Sequence, residues 1–218
     1  MANQLNVPTL KDLKAFEVNR SDSQEVIRQS LYDFQTYDAA NGHSTINFFQ
    51  VPVGQSSKTL EDTNMEIAGS LPSPKRFLAE SVEVFFFPGD DPSSFGAQAA
   101  NDFVNDVYKV LKTGYLRLFI GSKDYLIEGP LLRFPQKVCF DFDSALSDAT
   151  TAGSDAQSVI AYATAKGRPY RLQPPVLIPP TQNFKVEIAW PNGAQSLNSA
   201  NDAKIGVVLD GLLYRLSQ

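Results

Sequence analysis

The chain has 218 residues, of which 43% are hydrophobic and 20% charged, with a net charge of −5 and an isoelectric point near 4.9. No apolar run approaches the roughly 20 residues that a transmembrane helix needs. The single cysteine excludes an internal disulfide. Lys and Arg are scattered singly or in pairs such as Lys75–Arg76, which argues against a sequence-independent grip on nucleic acid.

Residues 1–20 show no strong period and read as an arm that orders on contact with neighbours. The opening MANQLNVPTLKDLKAF lacks the basic start and apolar stretch of a signal peptide, so the chain is expected to stay where it is made until lysis or assembly. A helix is predicted next, over SDSQEVIRQSLYDFQTYDAANG. Asp22 and Glu25 have capping-box spacing, Ile27, Leu31 and Phe34 recur at helical intervals, and Asn41-Gly42 stops it. Arm and helix form an N-terminal segment, residues 1–44, ahead of one domain, residues 45–218.

Strand signals dominate that domain. Stretches 46–53, 77–87, 115–120, 137–142, 170–172, 183–190 and 205–216 are rich in β-branched and aromatic residues and bounded by Gly, Pro, Asp and Ser. Two helices are predicted between them. In NDFVNDVYKVLKTG, Phe103, Val104, Val107, Tyr108 and Leu111 share a stripe and Gly114 ends it. In SDAQSVIAYATAKG, Ser154 and Gln157 fit a capping box and Gly167 closes the segment. The proline pairs in RLQPPVLIPPTQNFKVEIAWP cannot donate to a ladder, so they belong on a sheet edge or in a crossing segment. They read as a stiff lead-in to a half-buried strand carrying Phe184, Val186, Ile188 and Trp190 on one side. The fold class predicted is all-β. About eight strands form a two-sheet antiparallel sandwich, a single jelly roll, with an N-terminal helix and two helices inserted in connections.

Reactive groups are sparse. His43, in ANGHST, is the only histidine, so any Ser-His-Asp or Cys-His mechanism would run through it, and its turn context favours a loop residue. Cys139, in VCFDFD, reads as a small buried thiol. One His and one Cys build no ordinary zinc site. IPPTQNF shares Pro179 with the cupin segment Pro-x-Gly-x-x-His, but Thr181 replaces its glycine and Phe184 its ligand. Asp90 and Asp91, between prolines in PGDDPSS, offer oxygens to a calcium ion, though solvated turn formers are the plainer reading. Asp141 and Asp143 alternate with Phe140 and Phe142 and point off a sheet face. Asp102 and Asp106 read as a solvated helix side. GSKDY has no phosphate-loop frame. No catalytic, cofactor-binding or metal-binding residue is assigned.

Four stretches together resemble the coat proteins of tailless icosahedral bacteriophages. They are TNMEIAGSLPSPKRFLAESVEVFFFP (63–88), TGYLRLFIGSKDYLIEGPLLRFP (113–135), YRLQPPVLIPPTQNFKVEIAWP (170–191) and IGVVLDGLLYRLSQ (205–218). The match consists of turns and core positions: Leu71-Pro72, Gly114, Ile120-Gly121, Gly129-Pro130-Leu131, Phe134-Pro135 and Leu209-Asp210-Gly211. The resemblance implies a jelly-roll shell subunit without catalytic residues, made in the host cytoplasm and destined for the virion. Its partners would be copies of itself, in rings of five or six or as trimers, other virion proteins and, in relatives that have one, an underlying membrane layer. The acidic balance implies that its inner surface meets something other than naked genome, or that another protein does the packaging. The outward Phe85, Phe87 and Phe119, opposite a face shared by Val84, Phe86 and Leu118, need a cover from a helix or a partner. The alternative is a carbohydrate-binding, lectin-like jelly roll of a phage spike, which needs exposed aromatics beside a polar cleft. Trp190, on the apolar side of its strand, is expected in the core.

Overall fold

The computed structural model describes residues 24–89, 97–146, 157–165 and 167–216. At residue 24 and within 97–104, 139–146 and 157–163 it describes the backbone only. Among the described residues, eleven strands and one α-helix follow in order: β1 (Gln24–Arg28), β2 (Leu31–Tyr37), β3 (Thr45–Phe48), β4 (Arg76–Phe87), α1 (Ala97–Thr113), β5 (Tyr115–Ile120), β6 (Lys123–Glu128), β7 (Cys139–Leu146), β8 (Gln157–Thr164), β9 (Tyr170–Ile178), β10 (Phe184–Ala189) and β11 (Ala203–Leu216). A 3-10 turn, Leu131–Arg133, lies between β6 and β7.

The strands form two antiparallel sheets and a two-stranded ribbon. The first sheet runs β1-β11-β4-β9, with β2 also on β11; the second runs β3-β10-β5-β6; β7 pairs with β8. Alternation along the strands turns one side of each sheet inward. Val82, Val84 and Phe86 of β4 and Ile205, Val207 and Leu209 of β11 share one core cluster with Leu116 and Leu118 of β5 and Phe184, Val186 and Ile188 of β10. Two antiparallel sheets meeting over one core are compatible with a β-sandwich.

Two predicted helices are strands instead. Over residues 24–37 the chain forms β1 and β2, laid end to end along one edge of β11: Val26 opposes Tyr214, and Leu31 opposes Leu209. The helical spacing of Ile27, Leu31 and Phe34 was misleading because the inward side of β2 carries a charge. Leu31, Asp33 and Tyr37 are buried, and the carboxylate hides the period of two. The second correction is Gln157–Thr164, which forms β8. Its Val159, Ile160, Tyr162 and Thr164 favour a strand once β7 supplies an antiparallel partner. Stretch 46–53 is strand only to Phe48, and β6 is an added strand. Helix α1 and its stop before Gly114 match the expectation. Val110, outside the predicted stripe, is however fully buried, whereas Tyr108 on it is 55% exposed.

The proline pairs occupy two settings. Pro174 and Pro175 lie inside β9, the edge of the first sheet, where the ladder is interrupted. Ala79 opposes Val176 and Ser81 opposes Arg171, so residues 172–175 face Glu80 alone and the prolines fall where the ladder is already broken. Pro179 and Pro180 form the lead-in to β10. There Thr181 N–H donates to Leu71 O at 2.8 Å and Phe184 N–H to Gly69 O at 2.7 Å, so the turn is docked on the β3–β4 connection.

That connection is anchored by charge. Asp33 is fully buried and takes Phe49 N–H at 2.6 Å, Gln35 Nε2 at 3.2 Å and the ammonium of Lys58. Burial pushes its carboxyl up against the opposing pull of Lys58. Lys58 also donates to Phe34 O at 2.9 Å. Asp33→Asn strands this ammonium in a nearly dry site, so denaturant unfolding is expected to show a loss of about 3–5 kcal/mol. Adding Lys58→Met should recover part of it.

Two glycines allow close approaches in β11. A Cβ on Gly206 would meet the Phe34 ring at 2.1 Å, and one on Gly211 would meet the backbone oxygen of Leu78 at 2.0 Å. A ring can rotate away and a paired strand cannot. Gly211→Ala is therefore expected to cost about 1–3 kcal/mol, more than Gly206→Ala, in the same unfolding measurement.

Candidate functional site

Most chemically capable side chains have structural partners. His43 is half-buried in the turn between β2 and β3. Its Nε2 accepts Asp38 N–H at 3.2 Å, and its ring meets Tyr37 edge-on with centroids 5.2 Å apart. Burial pushes the Tyr37 phenol up to about 12, and its hydroxyl donates to Gln195 O at 2.6 Å. Trp190 is 2% exposed, with Nε1 donating to Val110 O at 3.0 Å, which places it in the core as expected. Phe184, at the ligand position of the cupin-like segment, is also core.

Asp106 corrects the sequence reading. It is fully buried, accepting Asn198 N–H at 2.6 Å, Ser199 N–H at 3.0 Å and Ser199 Oγ at 2.6 Å, so it ties α1 to the segment before β11. Asp90 and Asp91 lie outside the described residues. Cys139, Asp141 and Asp143 fall in β7, in the ribbon rather than in either main sheet, and their side chains are not described; nor is that of Asp102. GSKDY is the β5–β6 hairpin, with Gly121 at φ +60°. Among the described residues, no three or more His, Cys, Asp or Glu side chains form a group able to hold a metal ion.

What the structure assembles instead is two contrasting outer surfaces. On the first sheet, Phe34 stacks on Phe87 with centroids 6.2 Å apart and packs against Phe85 at 5.9 Å, while Tyr32 lies 6.3 Å from Phe34. The Tyr32 hydroxyl reaches the carbonyl of Leu60, whose side chain is 68% exposed. The outward direction of Phe85 and Phe87 follows from the alternation; the addition of Tyr32 and Phe34 needed β2 to be a strand.

Beside this aromatic patch lies a charged cluster at the bulge between Asp210 and Gly211. Asp210 takes Arg28 Nη2 at 2.7 Å and Ser30 Oγ at 3.2 Å, and Arg28 Nη1 reaches Glu80 at 3.1 Å. Glu83, 4% exposed, accepts Lys137 N–H at 2.6 Å and so clamps the segment after the 3-10 turn onto β4. Burial pushes the Glu83 carboxyl up, and the charge of Asp210 adds to the effect.

The second sheet is laced with ions. Arg117 pairs with Asp124 at 2.9 Å and Glu187 at 3.7 Å; Lys185 pairs with Glu187 at 2.9 Å and bonds Asn47 at 2.9 Å. Both cations lie over the Phe119 ring, 4.5 and 4.8 Å from its centroid. Next to Phe119 is a shallow cleft of about 260 Å³ lined by Gln50, Gly69, Asn183, Phe184 and Lys185 among others.

Comparison with known proteins finds no matching family model, curated protein or solved structure. The functional reading therefore rests on this geometry: one surface with an aromatic patch beside a charged cluster, one ion-paired surface, and one small polar cleft.

The buried glutamate has a measurable signature. A raised carboxyl favours the protonated form in the fold, so its stabilising contribution is complete below the ordinary glutamate range and is lost as pH rises through the raised value. Glu83→Gln removes that loss. Urea midpoints compared between about pH 4 and pH 8 should fall more with rising pH for the native chain than for the variant. Equal pH dependence would disprove the assignment.

Proposed function

We propose that the protein is a non-catalytic structural virion protein: a single-jelly-roll capsid subunit, made in the host cytoplasm, that assembles with copies of itself into an icosahedral shell. The observation that carries this reading is the path of the chain between the sheets. The strands β2, β3, β4, β5, β6, β9, β10 and β11 visit the first and second sheets in the order first, second, first, second, second, first, second, first. The last strand thereby lies between the earliest ones, as in nested Greek keys. This interleaving accords with the resemblance to phage coat proteins. The aromatic patch of Tyr32, Phe34, Phe85 and Phe87 supports it further, since an apolar outer surface is what a subunit packed among neighbours presents.

A second reading has one observation in its favour. Phe119 beside the Gln50–Asn183–Lys185 cleft supplies an aromatic and polar groups together, the combination a carbohydrate-binding module needs. Two measurements on the purified protein separate the readings. Negative-stain images and sedimentation are expected to show rings, capsomers or shells. A protein that stays monomeric at all concentrations, and is retarded on a polysaccharide column unless Phe119 is changed to Ala, would replace the capsid reading with the lectin-like one.

A further inference from the structure

Strands at the margins of the main sheets are mostly closed to further pairing. Along β2 runs the segment Asp62–Asn64: Phe34 N–H donates to Asp62 O at 2.7 Å and Asn64 N–H to Tyr32 O at 3.4 Å. Prolines 174 and 175 interrupt β9. Strand β3 is four residues long, and its Asn47 carbonyl is reached by Gln35 Nε2 at 3.5 Å. The charges of β1 are engaged, Glu25 with Arg215 and Arg28 with Asp210 and Glu80.

Strand β6 differs. It pairs with β5 on one side, and among the described residues nothing bonds its other edge. Tyr125 and Ile127 are 50% and 61% exposed there. An open edge of this kind is a template for another strand.

We propose that β6 joins two copies of this chain, antiparallel, about a two-fold axis between Tyr125 and Leu126. The sequence of the strand, KDYLIE, is complementary to itself in that register. Lys123 faces the partner's Glu128, and Asp124 faces the partner's Ile127. Tyr125 is bulged and has no partner on β5, and this extra residue at the axis lets the outer facing residues share a side of the sheet. Lys123 and Glu128 oppose Ile120 and Leu116, which point inward, whereas Asp124 and Ile127 oppose Phe119 and Arg117, which point outward. A one-residue slip sets Asp124 against the partner's Leu126 or the partner's Glu128, crossing sides in both cases and placing two carboxylates together in the second. The charges are prepared for this contact. Glu128 is held by Arg133 at 2.9 Å and by the Tyr170 hydroxyl at 3.2 Å, and Asp124 is neutralised by Arg117 at 2.9 Å. An isologous contact of this type closes on itself and links larger units in pairs.

The proposal deepens the reading of the chain as a self-assembling subunit, and its test separates the two. In a Cys139→Ser background, the pair Asp124→Cys and Ile127→Cys brings facing residues within disulfide reach in the proposed register. Mild oxidation is expected to give a covalent dimer, whereas Asp124→Cys with Leu126→Cys stays monomeric. Lys123→Glu, on an exposed side chain, is expected to leave the thermal transition unchanged and weaken dimerisation by about tenfold in sedimentation. Equal cross-linking of both cysteine pairs, or no cross-linking, overturns the register. Shells formed without the cross-link overturn this contact and leave the capsid reading standing; cross-linked dimers with no larger assembly do the reverse.

Discussion

Strand β11 is buried along most of its fourteen residues on both sides, and that burial constrains everything around it. A buried backbone has only other strands to bond with, so both edges of β11 are paired: β4 along one, β2 and then β1 along the other. Its inner side chains, Ile205, Val207 and Leu209, are covered by the opposite sheet. Its outer side must be covered too. Phe34 lies over Gly206, Arg28 and Ser30 close over Asp210, and Leu212 and Tyr214 pack with Leu78 and Leu177. The outer surface of the first sheet is thus a second, thinner layer of packing, while the second sheet has an ordinary solvated ladder of ions. The difference between the two surfaces follows from where the longest strand lies.

Much of this was legible in the sequence and part was not, for reasons that can be located. Strands β4, β5, β10 and β11 are rich in β-branched, aromatic and other apolar residues, with clear alternation in β5 and β10, and their edges fell within a residue or two of expectation. Strand β2 failed because Asp33 takes an inward position, and its partner Lys58 comes from a loop whose place only the fold decides. Strand β8 failed because Ser154 and Gln157 imitate a capping box and alanines carry no period. Of the outer surface, Phe85, Phe87 and Phe119 could be read from alternation within a strand. The meeting of Phe34 with Phe85 and Phe87 could not, since it depends on β2 and β4 lying on opposite sides of β11.

Asp106 shows the same limit from the other direction. Two acids four residues apart on a helix look like a solvated side, and on an isolated helix they are one. Here Asp106 finds two backbone amides and a hydroxyl in the segment entering β11, so a carboxylate does the work that a helix cap or a turn would do elsewhere. Charged groups therefore hold connections at three places: Asp33 the β3–β4 loop, Asp106 the approach to β11, and Glu83 the segment after the 3-10 turn. Each accepts at least one backbone N–H, which a loop buried against a sheet must otherwise leave unpaired.

These anchors give the proline pairs their role. A loop fixed by buried acceptors at a few points still keeps conformational freedom between them, and proline reduces that freedom in the unfolded chain as well as the folded one. Pro179 and Pro180 stand where the turn into β10 docks on Gly69 and Leu71, and Pro174 and Pro175 stand where β9 leaves its ladder opposite Glu80. The first pair fixes the start of a core strand; the second removes two adjacent amide donors from β9 at the sheet margin, so a further strand finds no continuous partner there. Stiff connections and a blocked margin serve any fold of this kind, since they limit the freedom of the unfolded chain and keep a sheet edge from pairing at random. In a subunit surrounded by copies of itself they lower the entropy lost on assembly and restrict pairing to the surfaces left open.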